Sequence, residues 1–266
     1  MPSSASIANH LRAYDLRRRI PIVGLVGFLL VLALQIPYPL LSQKGKTTVT
    51  IASVAAFFCT SVVHAWWSRG VWAVVALVGV CAGGGLAIEA IGWRTGFPFG
   101  NYRYTNVFGW RILGVPVVVV LAWAMFGWLA LLCAQRVGGG ALGALIGGAV
   151  LLAWDLFLDP QMVRAGGWVW LPTKGPRLNG IPVVNFIGWF FVGVLMVSVL
   201  LRLVPQLREG RTDDLGWALL AWTLFSETLL FVWFFHHPAL AAVATPALGA
   251  LLFVVYRLGR RSSGVT

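Results

Sequence analysis

Acidic side chains are scarce in this chain. Its 266 residues include eight Asp and Glu against twenty Lys and Arg, and charged residues make up only 11%. A water-soluble domain carries about 25% charged residues, so a soluble fold is not expected. Cysteine is scarce too. Cys59, Cys81 and Cys133 stand apart from one another, with neither metal-ligand spacing nor an evident disulfide pairing. The apolar stretches do not alternate with polar residues, which argues against a membrane β-barrel. The basic residues form no patch or stripe. The net charge of +12 is scattered over the termini and loops, so nucleic acid is not an expected partner.

What the chain has instead is apolar length. Hydrophobic residues make up 59% of it, and about twenty apolar residues in a row span a bilayer as a helix. Eight such segments are present, at 20–41, 47–67, 71–93, 114–134, 141–158, 181–204, 214–235 and 239–258. Only "HHPA" separates the last two, so a count of seven is also open. The expected fold is an all-α integral membrane protein, one helical bundle over residues 1–266, with the lipid bilayer as its surroundings. Its oligomeric state is not legible. The stretch "RAYDLRRRI" before the first segment resembles the basic region of a signal peptide. No small-x-small site follows it, so the segment reads as a retained helix. Basic residues are modestly richer on the side holding both termini, which predicts cytoplasmic termini.

The few acids are placed where they cost most. Glu89, Asp155, Asp159 and Glu227 lie in or at the lip of apolar segments. An ionisable group at the centre of a membrane helix costs about 2.5–3.5 kcal/mol on insertion scales and marks function by default. Blander roles exist: Asp155 and Asp159 could cap a helix or pair with Arg164, and Glu227, within "LLAWTLFSETLLFVWFF", could join two helices. His64 reads as a packing residue. His236-His237-Pro238 reads as a polar interfacial turn.

Two stretches are alike. Residues 114–123 read "GVPVVVVLAW" and residues 180–189 read "GIPVVNFIGW". The shift that carries Gly114 onto Gly180 also places Glu89 on Asp155. Between acid and glycine stand two aromatic, basic loops, "WRTGFPFGNYRYTNVFGWRIL" and "DPQMVRAGGWVWLPTKGPRLN". This predicts a parallel internal repeat, residues 71–134 and 137–204, pairing helices 3–4 with helices 5–6. Such repeats are related by an axis along the membrane normal and carry sites at their interface. Asp159 falls one turn from Asp155 on the same helix face. Helices 3, 5 and 7 share one direction, so Glu89, Asp155, Asp159, Glu227 and Asn185 converge in one half of the membrane. Trp93, Trp110, Trp168 and Trp170 in the loops suit an interfacial belt or contact with a ligand.

Carboxyl groups in an apolar, aromatic-lined site suit one chemistry in particular. A neutral carboxylic acid can protonate a carbon–carbon double bond. A second carboxylate or an amide can orient water, and aromatic faces can stabilise the intervening cation. That is acid-catalysed hydration of an alkene, which requires neither metal nor redox cofactor.

The stretches "EAIGWRTGFPFGNYRYT", "GVPVVVVLAW", "DLFLDPQMVRAGGWVW" and "GIPVVNFIGW" resemble the membrane carotenoid-biosynthesis family that includes carotenoid 1,2-hydratase and bisanhydrobacterioruberin hydratase. The resemblance is concentrated in residues 89–189. It implies a plasma-membrane enzyme that adds water to the terminal double bond of an acyclic carotenoid end group, with an apolar polyene as its substrate. The matched positions include Glu89, Phe99, Tyr102, Tyr104, Asp155, Asp159, Trp168, Trp170, Asn185 and Trp189. The expected catalytic set is Asp155 as proton donor with Glu89, Asp159, Asn185 and Glu227. The expected substrate contacts are Trp93, Phe97, Phe99, Tyr102, Tyr104, Trp168, Trp170 and Trp189. Two other classes compete. Intramembrane prenyltransferases also use Asp-x-x-x-Asp, but here the shifted copy of Asp155–Asp159 reads Glu89-Ala-Ile-Gly-Trp93. A carotenoid- or lipid-binding or transport bundle is the non-enzymatic alternative.

Overall fold

The computed structural model describes residues 21–172 and 174–262. The basic stretch at 12–20, and with it the signal-like reading of the N-terminus, lies outside the described residues. Among them, eight helical segments are long and apolar enough to cross a membrane. They are α1 (Ile22–Leu40), α2 (Gln43–Arg69), α3 (Val71–Thr95), α4 (Val117–Arg136), α5 (Gly140–Arg164), α6 (Val183–Leu203), α7 (Asp214–Phe234) and α8 (Pro238–Ser262). The chain is an all-α integral membrane protein. α7 and α8 part at His236, whose backbone turns to a φ of 52°, so the described residues hold eight spans and not seven.

Local sequence explains the breaks. Pro37 and Pro39 tighten the end of α1 into a 3-10 turn. The Ser42 side chain caps α2 by accepting from the Gly45 N–H at 3.3 Å, which satisfies a donor that the helix start leaves free. Gly96, at a φ of 78°, closes α3 in the left-handed conformation, which glycine adopts without a Cβ clash. A π-helical stretch, Leu77–Gly83, interrupts α3 ahead of Glu89.

α4 is the axis of the bundle. Every residue from Ala122 to Gln135 is buried, and α4 packs against α2, α3, α5, α6, α7 and α8. A helix apolar on all sides suits such a position. Small residues permit the closest approaches. A side chain on Gly193 of α6 would sit 3.0 Å from the Gly148 Cα of α5. One on Gly85 would strike the Trp123 ring.

The short strands that follow α3 and α5 recur at a constant shift. Strand β1 (Tyr102–Tyr104) recurs as β4 (Trp168–Trp170) at the shift that relates Gly114 to Gly180. Strands β2 (Arg111–Ile112) and β3 (Val115–Pro116) recur at the same shift as β5 (Arg177–Leu178) and β6 (Ile181–Pro182). Both pairs close two-residue hairpins whose turns, Leu113-Gly114 and Asn179-Gly180, have positive φ at both positions, the geometry that matches strand twist. α4 and α6 then begin at Val117 and Val183. The Gly-x-Pro steps are thus hairpin residues, not helix starts. α5 runs on to Arg164, beyond the expected end at 158, so Asp159 is inside a helix.

β1 and β4 pair antiparallel in the register Tyr102↔Trp170, Arg103↔Val169, Tyr104↔Trp168. The central partners, Arg103 and Val169, are themselves equivalent positions of the repeat. The flanking bonds are Thr105 N–H to Gly167 C=O at 3.0 Å and Leu171 N–H to Asn101 C=O at 2.9 Å. Exchanging the strands reproduces every one of these pairings, as a local two-fold axis requires. On this ground we propose that residues 71–134 and 137–204 are two copies of one unit.

Candidate active site

The ribbon positions the site. Successive strand residues point to opposite faces, so Tyr102 and Tyr104 turn inward while Arg103 faces out. Tyr102 Oη donates to Glu89 Oε2 at 2.5 Å and Tyr104 Oη donates to the same oxygen at 2.7 Å. Trp123 Nε1 donates to Glu89 Oε1 at 3.0 Å. Burial, with the Glu89 carboxyl beside them, pushes both phenols well above their ordinary range, so they remain O–H donors.

The second unit builds a related arrangement with different acids. Trp168 and Trp170 on β4 donate from Nε1 to Asp159 Oδ1 at 2.8 and 3.0 Å. Asn185 Nδ2 bridges Asp155 Oδ2 and Asp159 Oδ2, each at 2.8 Å. Glu89, Asp155, Asp159 and Asn185 are 4%, 1%, 2% and 2% exposed. Two of the donors correspond at the same shift, Tyr102 with Trp168 and Tyr104 with Trp170, while Trp189, the counterpart of the donor Trp123, stacks on it. The acceptors do not all correspond. Glu89 corresponds to Asp155, but Asp159 stands where the first unit has Trp93, and Asn185 where it has Val119. Among the described residues Glu89 and Asp159 each accept three hydrogen bonds and Asp155 accepts one.

A cavity of about 420 Å³ holds these groups. Glu89, Asp155, Asp159, Asn185 and Glu227 line it together with Phe99, Tyr102, Tyr104, Trp168, Trp170 and Trp189. Aromatic stacks wall it: Trp123 on Trp189, and Phe126 on Trp154, both at 4.0 Å between ring centroids. The lining continues outward to Ile36 on α1 and Phe225 on α7, both exposed on the bundle's outer face. Gln35 of α1 accepts from Trp222 Nε1 of α7 at 2.7 Å beside that opening.

Two expected contacts lie elsewhere. Trp93 is held at the first hairpin, donating from Nε1 to the Leu113 carbonyl at 3.2 Å under the Arg94 guanidinium. Phe97 is 70% exposed in the turn after α3. Neither lines the cavity. Arg164 lies over the Phe235 ring, not against the acids. His64 belongs to a separate network, accepting from Trp128 Nε1 at 2.9 Å, near the Arg69–Asp213 pair. Several cavity groups were not anticipated: Trp123, Trp154, Tyr38, Thr50 and Gln161. Trp123 had a signal, its correspondence with Trp189.

Residues 45–256 match a family described as carotenoid biosynthesis protein. A curated relative, bisanhydrobacterioruberin hydratase of Haloarcula japonica, is 31% identical over 119 residues, which cover 41% of this chain and 39% of that protein. The match therefore spans well under half the relative's length. No solved structure matches.

Proposed function

The chain belongs to the carotenoid biosynthesis protein family, and from that premise we propose that it is a hydratase acting on the terminal double bond of an acyclic carotenoid end group. The observation that carries the reading is the unequal hydrogen bonding of three buried carboxyls in one aromatic cavity. Glu89 and Asp159 each face three N–H or O–H donors, a setting for carboxylates. Asp155 faces one and has room to carry a proton.

In this reading Asp155 gives its proton to the outer alkene carbon. Its O–H bond and the π bond break, a C–H bond forms, and positive charge appears at the tertiary carbon. The carboxylates of Glu89 and Asp159 and the faces of Trp168, Trp170, Trp189 and Tyr102 offset that charge. Water adds through oxygen and yields a proton to the Asp155 carboxylate, leaving a tertiary alcohol and the acid restored. Asn185, bridging Asp155 and Asp159, fixes their separation. The extension of the cavity lining to Ile36 and Phe225 suits a substrate that arrives from lipid. A prenyltransferase would need its acid oxygens turned toward magnesium, whereas those of Asp159 accept N–H bonds.

The test is expression in a lycopene-producing host, with the pigments analysed by mass. Pigments heavier by one water are expected. Unchanged pigments would overturn the hydratase reading, and pigments heavier by a prenyl unit would favour the rival.

A further inference from the structure

Hydration consumes two substrates of opposite character. A polyene reaches an apolar cavity through lipid, but water does not. The acid cluster offers little to hold a water, because the oxygens of Glu89 and Asp159 already accept protein donors. The same cavity has a second polar pole that takes no part in that cluster.

Glu227 marks it. Its Oε2 is buried without a hydrogen-bond partner among the described residues, although it lines the cavity with Tyr38, Gln161, Thr223 and Ser226. A buried polar atom left unsatisfied costs about 1–3 kcal/mol, more when charged, and buried water normally relieves such a cost where it finds two to four polar partners. The partners are present. The Thr223 and Ser226 hydroxyls donate to the carbonyls of Leu219 and Thr223 on their own helix, which leaves their oxygens free to accept. Tyr38 and Thr50 line the cavity on the side of Gln161 and Glu227. Gln161 and Arg164 stand one turn apart on α5, and Arg164 is exposed. Polar groups are thus present at the surface, at Arg164, one turn away at Gln161 on the cavity lining, and across the lining at Tyr38 and Glu227.

We propose that Glu227, with Tyr38, Gln161 and Ser226, is a water-binding site of the cavity, supplied from the surface at Arg164 and not through the lipid-facing opening between α1 and α7. The proposal rests on the hydratase reading. It gives Glu227 a role distinct from the proton donor: it holds the water that captures the cation.

The two roles separate in D2O. Enzyme pre-equilibrated in D2O and in excess over an acyclic carotenoid is incubated in nanodiscs, and the pigments are analysed by mass. The O–D bond of Asp155 breaks and a C–D bond forms. If no water adds, the cation returns a proton from a neighbouring carbon to the Asp155 carboxylate, restoring an alkene that now carries deuterium. Wild type yields deuterated alcohol. Glu227→Leu is expected to lose alcohol by about tenfold, the equivalent of one hydrogen-bonded partner, while recovered alkene gains deuterium. Glu227→Gln, which keeps an acceptor, recovers most of the loss. Tyr38→Phe, which removes only a hydroxyl, shifts the ratio from alcohol toward deuterated alkene. The proposal is overturned by wild-type alcohol from Glu227→Leu, by joint loss of alcohol and deuterium in a variant that still binds carotenoid, or by an unchanged ratio in Tyr38→Phe. Wild-type enzyme that gives neither alcohol nor deuterated alkene overturns the hydratase reading itself, and this site's role with it.

Discussion

Trp123 and Trp189 stack with ring centroids 4.0 Å apart and planes 7° from parallel, and the shift that carries Gly114 onto Gly180 carries one onto the other. Their surroundings differ. Trp123 Nε1 donates to Glu89, and the first unit thereby holds its acid at both oxygens. Replacing either indole by phenylalanine weakens the stack, at about 0.5–1.5 kcal/mol. Trp123→Phe also strips Glu89 Oε1 of its donor, a further cost of about 1–3 kcal/mol. Denaturation in detergent should find Trp123→Phe the less stable of the two variants. Equal stabilities would show that the Glu89 contact contributes nothing.

Asp155→Asn keeps the size of the side chain and removes its acidic proton. Hydration should fall by about 10²–10⁴-fold, the usual worth of a positioned general acid, while the carotenoid absorption band still appears on binding. Asp159→Asn should behave differently. Its amide keeps one acceptor oxygen for Trp168 and Trp170 but turns an NH2 toward the Asn185 NH2, donor against donor, so loss of folded protein is expected along with loss of product. Normal product from the Asp155→Asn protein would remove that residue from the donor role.

The buried phenols of Tyr102 and Tyr104 predict an alkaline limit. Both are raised well above the ordinary tyrosine value by burial and by Glu89. An unfolded tyrosine releases its proton at about pH 10, while these two keep theirs in the folded chain. The folded state then binds more protons than the unfolded one, and stability falls as pH rises past that point. Melting temperatures measured between neutral pH and pH 11 should decline less steeply for the Tyr102→Phe/Tyr104→Phe double variant. An identical slope would count against ionisation of these phenols as the cause.

Leu113 holds a φ of 52° where the second unit has Asn179 at 51°. A left-handed backbone costs an ordinary side chain about 1–2 kcal/mol, less for asparagine. Leu113→Asn should therefore stabilise the first hairpin. The variant's melting temperature checks it, and a drop would show that the Leu113 side chain contributes more than its backbone costs.

Most of the bundle was legible because spans announce themselves by length. The end of α5 was not, because Asp159-Pro160 reads as a helix stop. In the fold Asp159 is bound by two indoles and an amide, and the helix continues beneath them. The ribbon was hidden for another reason. Strands as short as β1 and β4 have no readable period, and each finds its partner in the other unit, far along the chain. The acid cluster could be read because acids are scarce and because Glu89 and Asp155 share the shift that relates Gly114 to Gly180. Trp93 and Phe97 were expected in the cavity as aromatics of the first loop, but the loop holds Trp93 against the first hairpin and leaves Phe97 exposed. Tyr38 gave no sign at all, since only packing carries the end of α1 to the cavity.

The antiparallel ribbon of β1 and β4 is self-complementary about its central pair, Arg103 and Val169. Self-complementary contacts are how identical subunits form two-fold dimers. A half-length chain bearing one such strand could close the same ribbon with a second copy of itself. In that homodimer every residue would occur twice, and an acid placed on one side of the axis would be imposed on the other. Joining the halves in one polypeptide lifts that constraint. Val119 and Trp93 can then remain apolar in one half while Asn185 and Asp159 take their places in the other. One fused chain can therefore hold a single lopsided reaction centre where a symmetric pair would be bound to hold two.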